Sequence, residues 1–528
     1  MEGKFGPQQC GSGGELAEEL TDGIDRRGTN MDRVPTITSF AMTVLVGLQA
    51  TLGAGSLRGQ APVDTGLLTQ PGQAVVIRGG WLFDGVADVR VPNEGILMRG
   101  GKFLDVDGGL EDYDIQDALV IDLDDDETIM PGMFDLHAHH RVGFGTDDTE
   151  ETRWVPMLHL ANGVTSTFPA GELDPEGMLE ARRRIESGEQ IGARIFNSGP
   201  YFGNARNQCP AVRTHEDSCD HWPADMTDEQ IRDRVDYWAL RGIRSIKAKQ
   251  ASPRELLSII DQAHRHGITV TAHLHNYAGR GTDVSVRDAI LMGIDRVEHS
   301  FVDQHLILAG QMEPGTSEFE EWIRLFVDHN VYFDGTNWLY GRAVIEADPN
   351  VDTSRLAEVD TDRFLTPYLR SLRSGRSPGG GADSQLTEQE REWDRVNGTV
   401  GYTAVFKNKA PGLLRLYELG GGHLITTGTD SWSGFSIHNE LFALAYVGLP
   451  LHAVLKAATI NGASALGVSD GLGTIEAGKI ADLYVLRGNP LDDILATRNG
   501  HLVMKAGQLY DVASLMRALE GKIGPTGP

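Results

Sequence analysis

Residues 131 to 140 read Pro131-Gly132-Met133-Phe134-Asp135-Leu136-His137-Ala138-His139-His140. A Pro-Gly turn leads into a short apolar run, the pattern of a buried strand, in which side chains two apart project to the same face. His137 and His139 therefore converge on one point, while His140 faces the other way and is expected to pack. Seven more strand-like runs follow: Val164–Phe168, Arg194–Ser198, Ser245–Lys249, Thr269–His275, Arg296–His299, Val331–Gly335 and Leu424–Asp430. With Phe134–His139 they make eight. Helical patterns alternate with them, such as the capping box Ser252-Pro253-Arg254-Glu255, whose helix stops at Gly267, and the Thr227/Gln230 start. The alternation predicts an α/β fold, a (β/α)8 TIM barrel over 131–473. Two connections are long, 201–225 and 338–422, and both are expected to overhang the barrel mouth.

Shorter strand patterns flank the barrel: Ala74–Arg78, Gly95–Arg99 and Ala118–Asp122 before it, and Ile480–Leu486 and Leu502–Tyr510 after it. They predict a small β-sandwich domain built from both chain ends, 64–130 plus 474–517. Residues 1–61 read as a leader. Within it, 31–56 has the order of a secretory signal: Met31-Asp32-Arg33, the apolar run Phe40–Leu48, then Gly53-Ala54-Gly55-Ser56. This predicts export to the periplasm or the medium, and the apolar run is too short for a membrane span.

The 528 residues hold 47 Lys+Arg against 75 Asp+Glu, a net charge of −28, which argues against nucleic acid or an anionic membrane as a partner. Three cysteines exclude a disulfide scaffold. Cys10 lies in the leader. Cys209 and Cys219 share the first long connection with His215 and His221, which leaves a structural zinc site or a disulfide. The Cys-x9-Cys spacing and the expected export favour the disulfide.

Chemistry-bearing residues fall at the predicted C-terminal ends of five strands: His137 and His139, Lys247, His273, Glu298-His299 and Asp430. Barrel enzymes place their sites at that rim. The run Pro131–His139 resembles the first-strand motif of the amidohydrolase superfamily, and Thr427-Gly428-Thr429-Asp430 resembles its eighth-strand motif. The stretch Ala457–Asp493 is similar to the family's closing region, including Gly473-Thr474-Ile475-Glu476-Ala477-Gly478-Lys479 and Ala481-Asp482-Leu483.

Ser245-Ile246-Lys247-Ala248 is similar to the imidazolonepropionase-like and prolidase-like branch, whose barrel lysine carries a carbamate. The resemblance implies two divalent metal ions, zinc first with manganese or cobalt as alternatives, held by His137, His139, Asp430, His273 and His299 and bridged by carboxylated Lys247. Lys249 shares the parity of Lys247 and is the rival carbamate. A hydroxide bridging the metals would cleave a carbon–nitrogen bond of an amide, peptide or cyclic amide, on dipeptides or N-acyl amino acids. Asp430 would take its proton and pass it to the leaving nitrogen.

Two alternatives stand beside this. One is a mononuclear deaminase or lactone hydrolase on the same barrel; Asn276 counts against the deaminase, where the family pattern has an acid three residues after the fifth-strand histidine. The other is a barrel serving as a structural or interaction module, against which all six ligand positions are filled. The expected partner is a small-molecule or dipeptide-like substrate, and a homo-oligomer is compatible with the sequence. His275 is a candidate for lining the substrate pocket, and His438 for touching substrate or capping its helix. Tyr201, Arg206 and Arg280 lie on loops over the rim.

Overall fold

The computed structural model describes residues 66–140, 151–172, 174–204, 222–223, 225–274, 284–356, 361–374 and 399–524. The leader with its signal segment and Cys10, Arg206, Cys209, His215, Cys219 and His221 of the first long connection, and His275, Asn276 and Arg280 lie outside the described residues.

Every expected run of the centre contains a strand. After the sheet strands β1 Val75–Leu82, β2 Val91–Pro92, β3 Ile96–Arg99, β4 Lys102–Asp105 and β5 Leu119–Pro131 come the barrel strands. These are β6 Met133–Ala138, β7 Val164–Pro169, β8 Arg194–Ile195, β9 Ser245–Lys249, β10 Thr269–His273, β11 Arg296–Glu298, β12 Tyr332–Asp334 and β13 Ile425–Thr426. β6, β7 and β8 pair in parallel, as do β9 to β13 in order. Backbone bonds link the two groups on both sides. Leu136 N donates to Thr427 O at 2.9 Å and Asp430 N to His137 O at 2.8 Å, while Arg244 N donates to Asn197 O at 3.4 Å and Phe202 bridges to Ala248. The result is a (β/α)8 barrel.

Two expected runs shrink to strands of two residues. Leu424–Asp430 is regular only over Ile425–Thr426, because the residues after it turn to bond β6, and Asp430 takes a left-handed φ of 51°. Arg194–Ser198 shortens to Arg194–Ile195 because Asn197 and Ser198 bond the Glu172 carboxylate instead of a neighbouring strand.

The helices begin where their side chains can satisfy free backbone N–H groups. Ser252 with Glu255 and Thr227 with Gln230 each form a full capping box. In Pro253–Arg265 the buried Leu256, Ile259, Ile260 and Ala263 lie on one face against the barrel. The long connection between β12 and β13 is not all overhang. Its helices Asn337–Glu346 and Thr399–Glu418 bury Trp338, Ile345, Val405, Phe406, Leu413 and Leu416 in the main core, so apolar spacing makes them part of the barrel wall.

β14 Leu483–Arg487, β15 Gly500–Lys505 and β16 Gln508–Asp511 come from the other chain end. They join β1 to β5 in one eight-stranded sheet of order β16-β15-β14-β5-β1-β3-β4, with β2 paired to β1. Side chains alternate between two cores. Leu483, Val485, Leu502 and Met504 meet Val75, Ile77, Ile96 and Met98 on the inner face, while Tyr484, Leu486 and Val503 turn to the barrel core. β14 lies against the end of β5, with Leu483 opposite Pro131. One residue separates that pair from β6. That residue is Gly132, where any Cβ would lie 2.3 Å from the Thr165 hydroxyl, so the chain can pass only as glycine.

Candidate metal centre

β6 ends on the deepest part of the site. Asp135, His137 and His139 share its inward parity. Asp135 has no solvent access, and its Oδ1 accepts from the backbone N–H of His137 at 3.1 Å and of Thr429 at 3.0 Å, while its Oδ2 accepts from the Thr429 hydroxyl at 2.7 Å. That carboxylate ties the His-x-His strand to the residue before Asp430. Asp430 Oδ1 then stands 2.7 Å from His139 Nε2 and 3.5 Å from His137 Nε2. His137 is buried, whereas the side chains of His139 and Asp430 retain 34% and 24% exposure, which puts them at the opening.

The other histidines come from β10 and from the turn after β11. Their rings pack edge-on and tilted toward the first pair: His273 lies 4.6 Å from His299, and His299 4.9 Å from His137, centroid to centroid. Alternation alone would point Glu298 and His299 to opposite faces. His299 takes a left-handed φ of 70°, which turns its ring back into the cavity that Glu298 also enters. Such strain in a non-glycine residue persists only where its surroundings hold it, and here His299 N–H bonds Asp334 O at 2.7 Å.

Lys247 projects from β9 into the same space and places its Nζ against Glu298 Oε2. Glu298 Oε1 accepts from Thr271 Oγ1, which in turn accepts from Arg296 Nε at 3.2 Å. Glu298 Oε2 is also 3.7 Å from His137 Nδ1, and Asp334 Oδ2 is 3.8 Å from it. The six residues expected from sequence, His137, His139, Lys247, His273, His299 and Asp430, are thus brought together in one cluster by five strands.

Burial sets the electrostatics. It pushes the Asp135 and Asp334 carboxyls up to about 6, and lowers the imidazoles of His137, His273 and His299 well below their ordinary value, so that neutral rings face the cavity. Burial, reinforced by the charge of Lys249, also lowers the Lys247 ammonium well below its usual value. Burial would raise Asp430 as well, but the neighbouring His137 and the hydrogen bond to His139 outweigh it and hold the carboxyl well below its usual range.

Neutral imidazoles and carboxylates are the donors that divalent transition metals take. Ligand atoms of His137, His139 and Asp430 lie within 4.8 Å of one another, as do those of His137, Glu298 and His299. His137 Nδ1 has no hydrogen-bond partner among the described residues. A cation would also favour the ionised forms that burial disfavours at Asp135 and Asp334. The donor set therefore fits a metal centre.

The remaining candidates take other places. His140 is buried, bonds Thr167 Oγ1 at 3.2 Å and stacks on His159, which is packing. His438 is buried inside the helix Ser436–Val447 with Nδ1 at 3.1 Å from Thr497 Oγ1, and it makes no cap. Tyr201 stands at the rim, its ring covering Gly171 and lying 5.3 Å from Lys249 Nζ. Glu298, Asp334, Asp135 and Thr336 line or brace the site without having been singled out as ligands. Asp334 ends the apolar run Tyr332-Phe333-Asp334 and Asp135 shares the strand parity of His137, which are the signals the sequence offers for them; Thr336 has none. Asp334 also explains Gly428: a Cβ there would sit 2.3 Å from its carboxylate.

The sequence model of the amidohydrolase family matches residues 128–510. The chain is 49% identical over 379 residues to an imidazolonepropionase from Porphyromonas gingivalis, covering 68% of this chain and 74% of that protein. It is 24% identical over 435 residues to ochratoxinase from Aspergillus niger, covering 72% and 75%. Among solved structures, a Xaa-Pro dipeptidase with methionine bound in its active site superposes with a TM-score of 0.60 at 21% identity, over 83% of this chain and 100% of that one.

Proposed function

The chain belongs to the amidohydrolase family, and from that premise we propose that it hydrolyses a carbon–nitrogen bond at a two-metal centre held by His137, His139, Lys247, His273, His299 and Asp430. The observation that carries the reading is the convergence of these six side chains from five strands into one cluster that opens at His139 and Asp430. Zinc is the ion proposed, from the imidazole and carboxylate donors. When bound, a pair of divalent ions lowers the pKa of water toward neutrality and polarises a substrate carbonyl.

Lys247 is proposed to bridge the pair as a carbamate. Burial and the charge of Lys249 favour its neutral amine, the form that adds carbon dioxide. Lys249, half-buried at the rim under Tyr201, lacks the deep position that a bridge requires. Asp430 reaches both the histidine pair and the opening, so its carboxylate can take a proton from the attacking water and deliver it to the leaving nitrogen. N-acyl amino acids and dipeptides are the proposed substrates. The likeness to an imidazolonepropionase adds a cyclic amide.

The test combines metal analysis with a panel of dipeptides, N-acyl amino acids and cyclic amides. Two ions per chain and release of amine are expected. Asp430→Asn should keep the fold and lower kcat by about 10²–10⁴-fold, and Lys247→Ala should lower the metal content. Parent-like turnover by both variants would overturn the assignment.

A further inference from the structure

Behind His299 lies a second set of contacts that the reaction does not use. The segment after β12 runs Gly335-Thr336-Asn337, with Thr336 at a left-handed φ of 42°. The Thr336 hydroxyl donates to Gly335 O at 2.8 Å, and His299 Nδ1 stands 2.8 Å from the same hydroxyl oxygen. A hydroxyl that donates to the carbonyl can only accept from the ring, and we take that arrangement for Thr336. Nδ1 of His299 therefore carries the proton, and Nε2 keeps its lone pair toward Glu298 and the cavity.

The Gly335 carbonyl has a second donor. Lys409, from the helix Thr399–Glu418, is fully buried and gives its Nζ proton to Gly335 O. The same Nζ lies 4.3 Å from the centre of the Tyr340 ring, which packs 5.6 Å from the His299 ring. Glu440 supplies opposing charge, and its carboxylate is fixed by Asn337 Nδ2 and Trp338 N, each at 2.7 Å. Burial lowers the Lys409 ammonium and raises the Glu440 carboxyl, so each charged form is costly there. A Met of similar length would fill the slot without that cost. What the lysine adds is a grip on one carbonyl.

We propose that Lys409 is a positioning residue for the metal centre: by holding the Gly335 carbonyl it fixes the Thr336 hydroxyl, and through it the tautomer and aim of His299. The proposal rests on the reading of His299 as a metal ligand. Partners that orient a ligating histidine in this way are typically worth 10–100-fold in metal affinity.

The test is titration of the metal-free full-length chain with zinc alone, against a competing chelator dye. His299→Ala is the control for the underlying reading. If it binds zinc with parental affinity and stoichiometry, the metal-centre assignment of His299 fails, and this proposal with it. Given a loss in His299→Ala, Thr336→Val should weaken zinc binding about 10–100-fold, whereas Thr336→Ser, which keeps the hydroxyl, should restore it. Lys409→Met should weaken it similarly, and so should Lys409→Met/Glu440→Gln, which removes both buried charges and guards against a folding defect. Lys409→Met/Thr336→Val should be no worse than the weaker single variant, because both act on one path. Parental zinc affinity in a folded Lys409→Met/Glu440→Gln chain, or losses that multiply in Lys409→Met/Thr336→Val, would overturn the proposal.

Discussion

Asp135 accepts three hydrogen bonds while fully buried, one from His137 N–H and two from Thr429. Deleting it strands those donors, at about 1–3 kcal/mol for each buried group left unpaired. Asp135→Ala should therefore lower the urea midpoint by several kcal/mol equivalent and cut kcat/KM at least tenfold, since His137 and Asp430 lose their common anchor. Asp135→Asn keeps an acceptor toward the two N–H groups and should fall between. Urea melts beside kinetics on the same samples check both; a parental melt for Asp135→Ala would show that the staple carries no load. This residue also marks how far the sequence could be read. The inward parity of Asp135 was plain beside His137, but its partner Thr429 lies 294 positions away. Only the closed barrel brings them together, as it does Lys247 with Glu298. The histidines were legible because their strand ends share one rim, whereas Lys409 was not, because its helix reaches the site from a connection whose path no local pattern fixes.

Among the elements, Ser245–Lys249 is the strand expected, because its Ile-Lys-Ala-Lys alternation and flanking turns agree; β13 is short because the residues after it bond β6, and β8 because side chains take over its backbone partners. Glu172 is one such side chain. It clamps the loop after β7 to the loop after β8: Oε1 accepts from Asn197 Nδ2 at 2.7 Å and Ser198 N at 3.2 Å, and Glu172 N bonds Gly199 O at 3.1 Å. Burial pushes its carboxyl from 4.5 up to about 8. Below about pH 4.5 the folded and unfolded forms both hold the proton. Between there and about pH 8 the unfolded chain has lost it while the fold retains it, so stability falls as pH rises, by about 1.4 kcal/mol per unit at most. Above that window the loss is complete. Glu172→Gln keeps an acceptor for Asn197 and does not titrate. It should match the parent near pH 5 and exceed it by a few kcal/mol near pH 8, as urea midpoints at three pH values would show. Equal slopes for the two proteins would assign the parent's pH dependence elsewhere.

For the whole molecule, the question is whether the eight-stranded sheet is an attachment or a part of the site's foundation. β14 is central in it, between β5 and β15, and it lies one residue of β5 away from Gly132 and the strand that carries His137. Gly132 N donates to Asp482 O at 3.1 Å, and the Asp482 carboxylate, itself buried, pairs with Arg194 of β8 at 2.6 Å. The sheet is thereby bonded to two barrel strands as well as packed on them. A chain ending at Gly473 loses β14 to β16, and with them Leu483, Val485, Leu502, Met504 and Leu509 from one core and Tyr484, Leu486 and Val503 from the other. Each such side chain contributes about 1.5–3 kcal/mol when fully buried, so the eight together are comparable to or larger than the 5–15 kcal/mol by which a folded protein is typically stable. The truncated chain should be insoluble or lack near-UV circular dichroism, and should bind no zinc. Asp482→Ala removes only the Arg194 pair and the acceptor for Ala506 N at 2.7 Å; it should fold with a lower melting temperature and retain the metal. The two variants separate the explanations. If the truncated chain kept near-UV ellipticity and parental zinc binding, the barrel would be self-sufficient and the sheet an appendage. If it fails while Asp482→Ala folds, the apolar strands of the far chain end, rather than the single ion pair, hold the start of β6 in place.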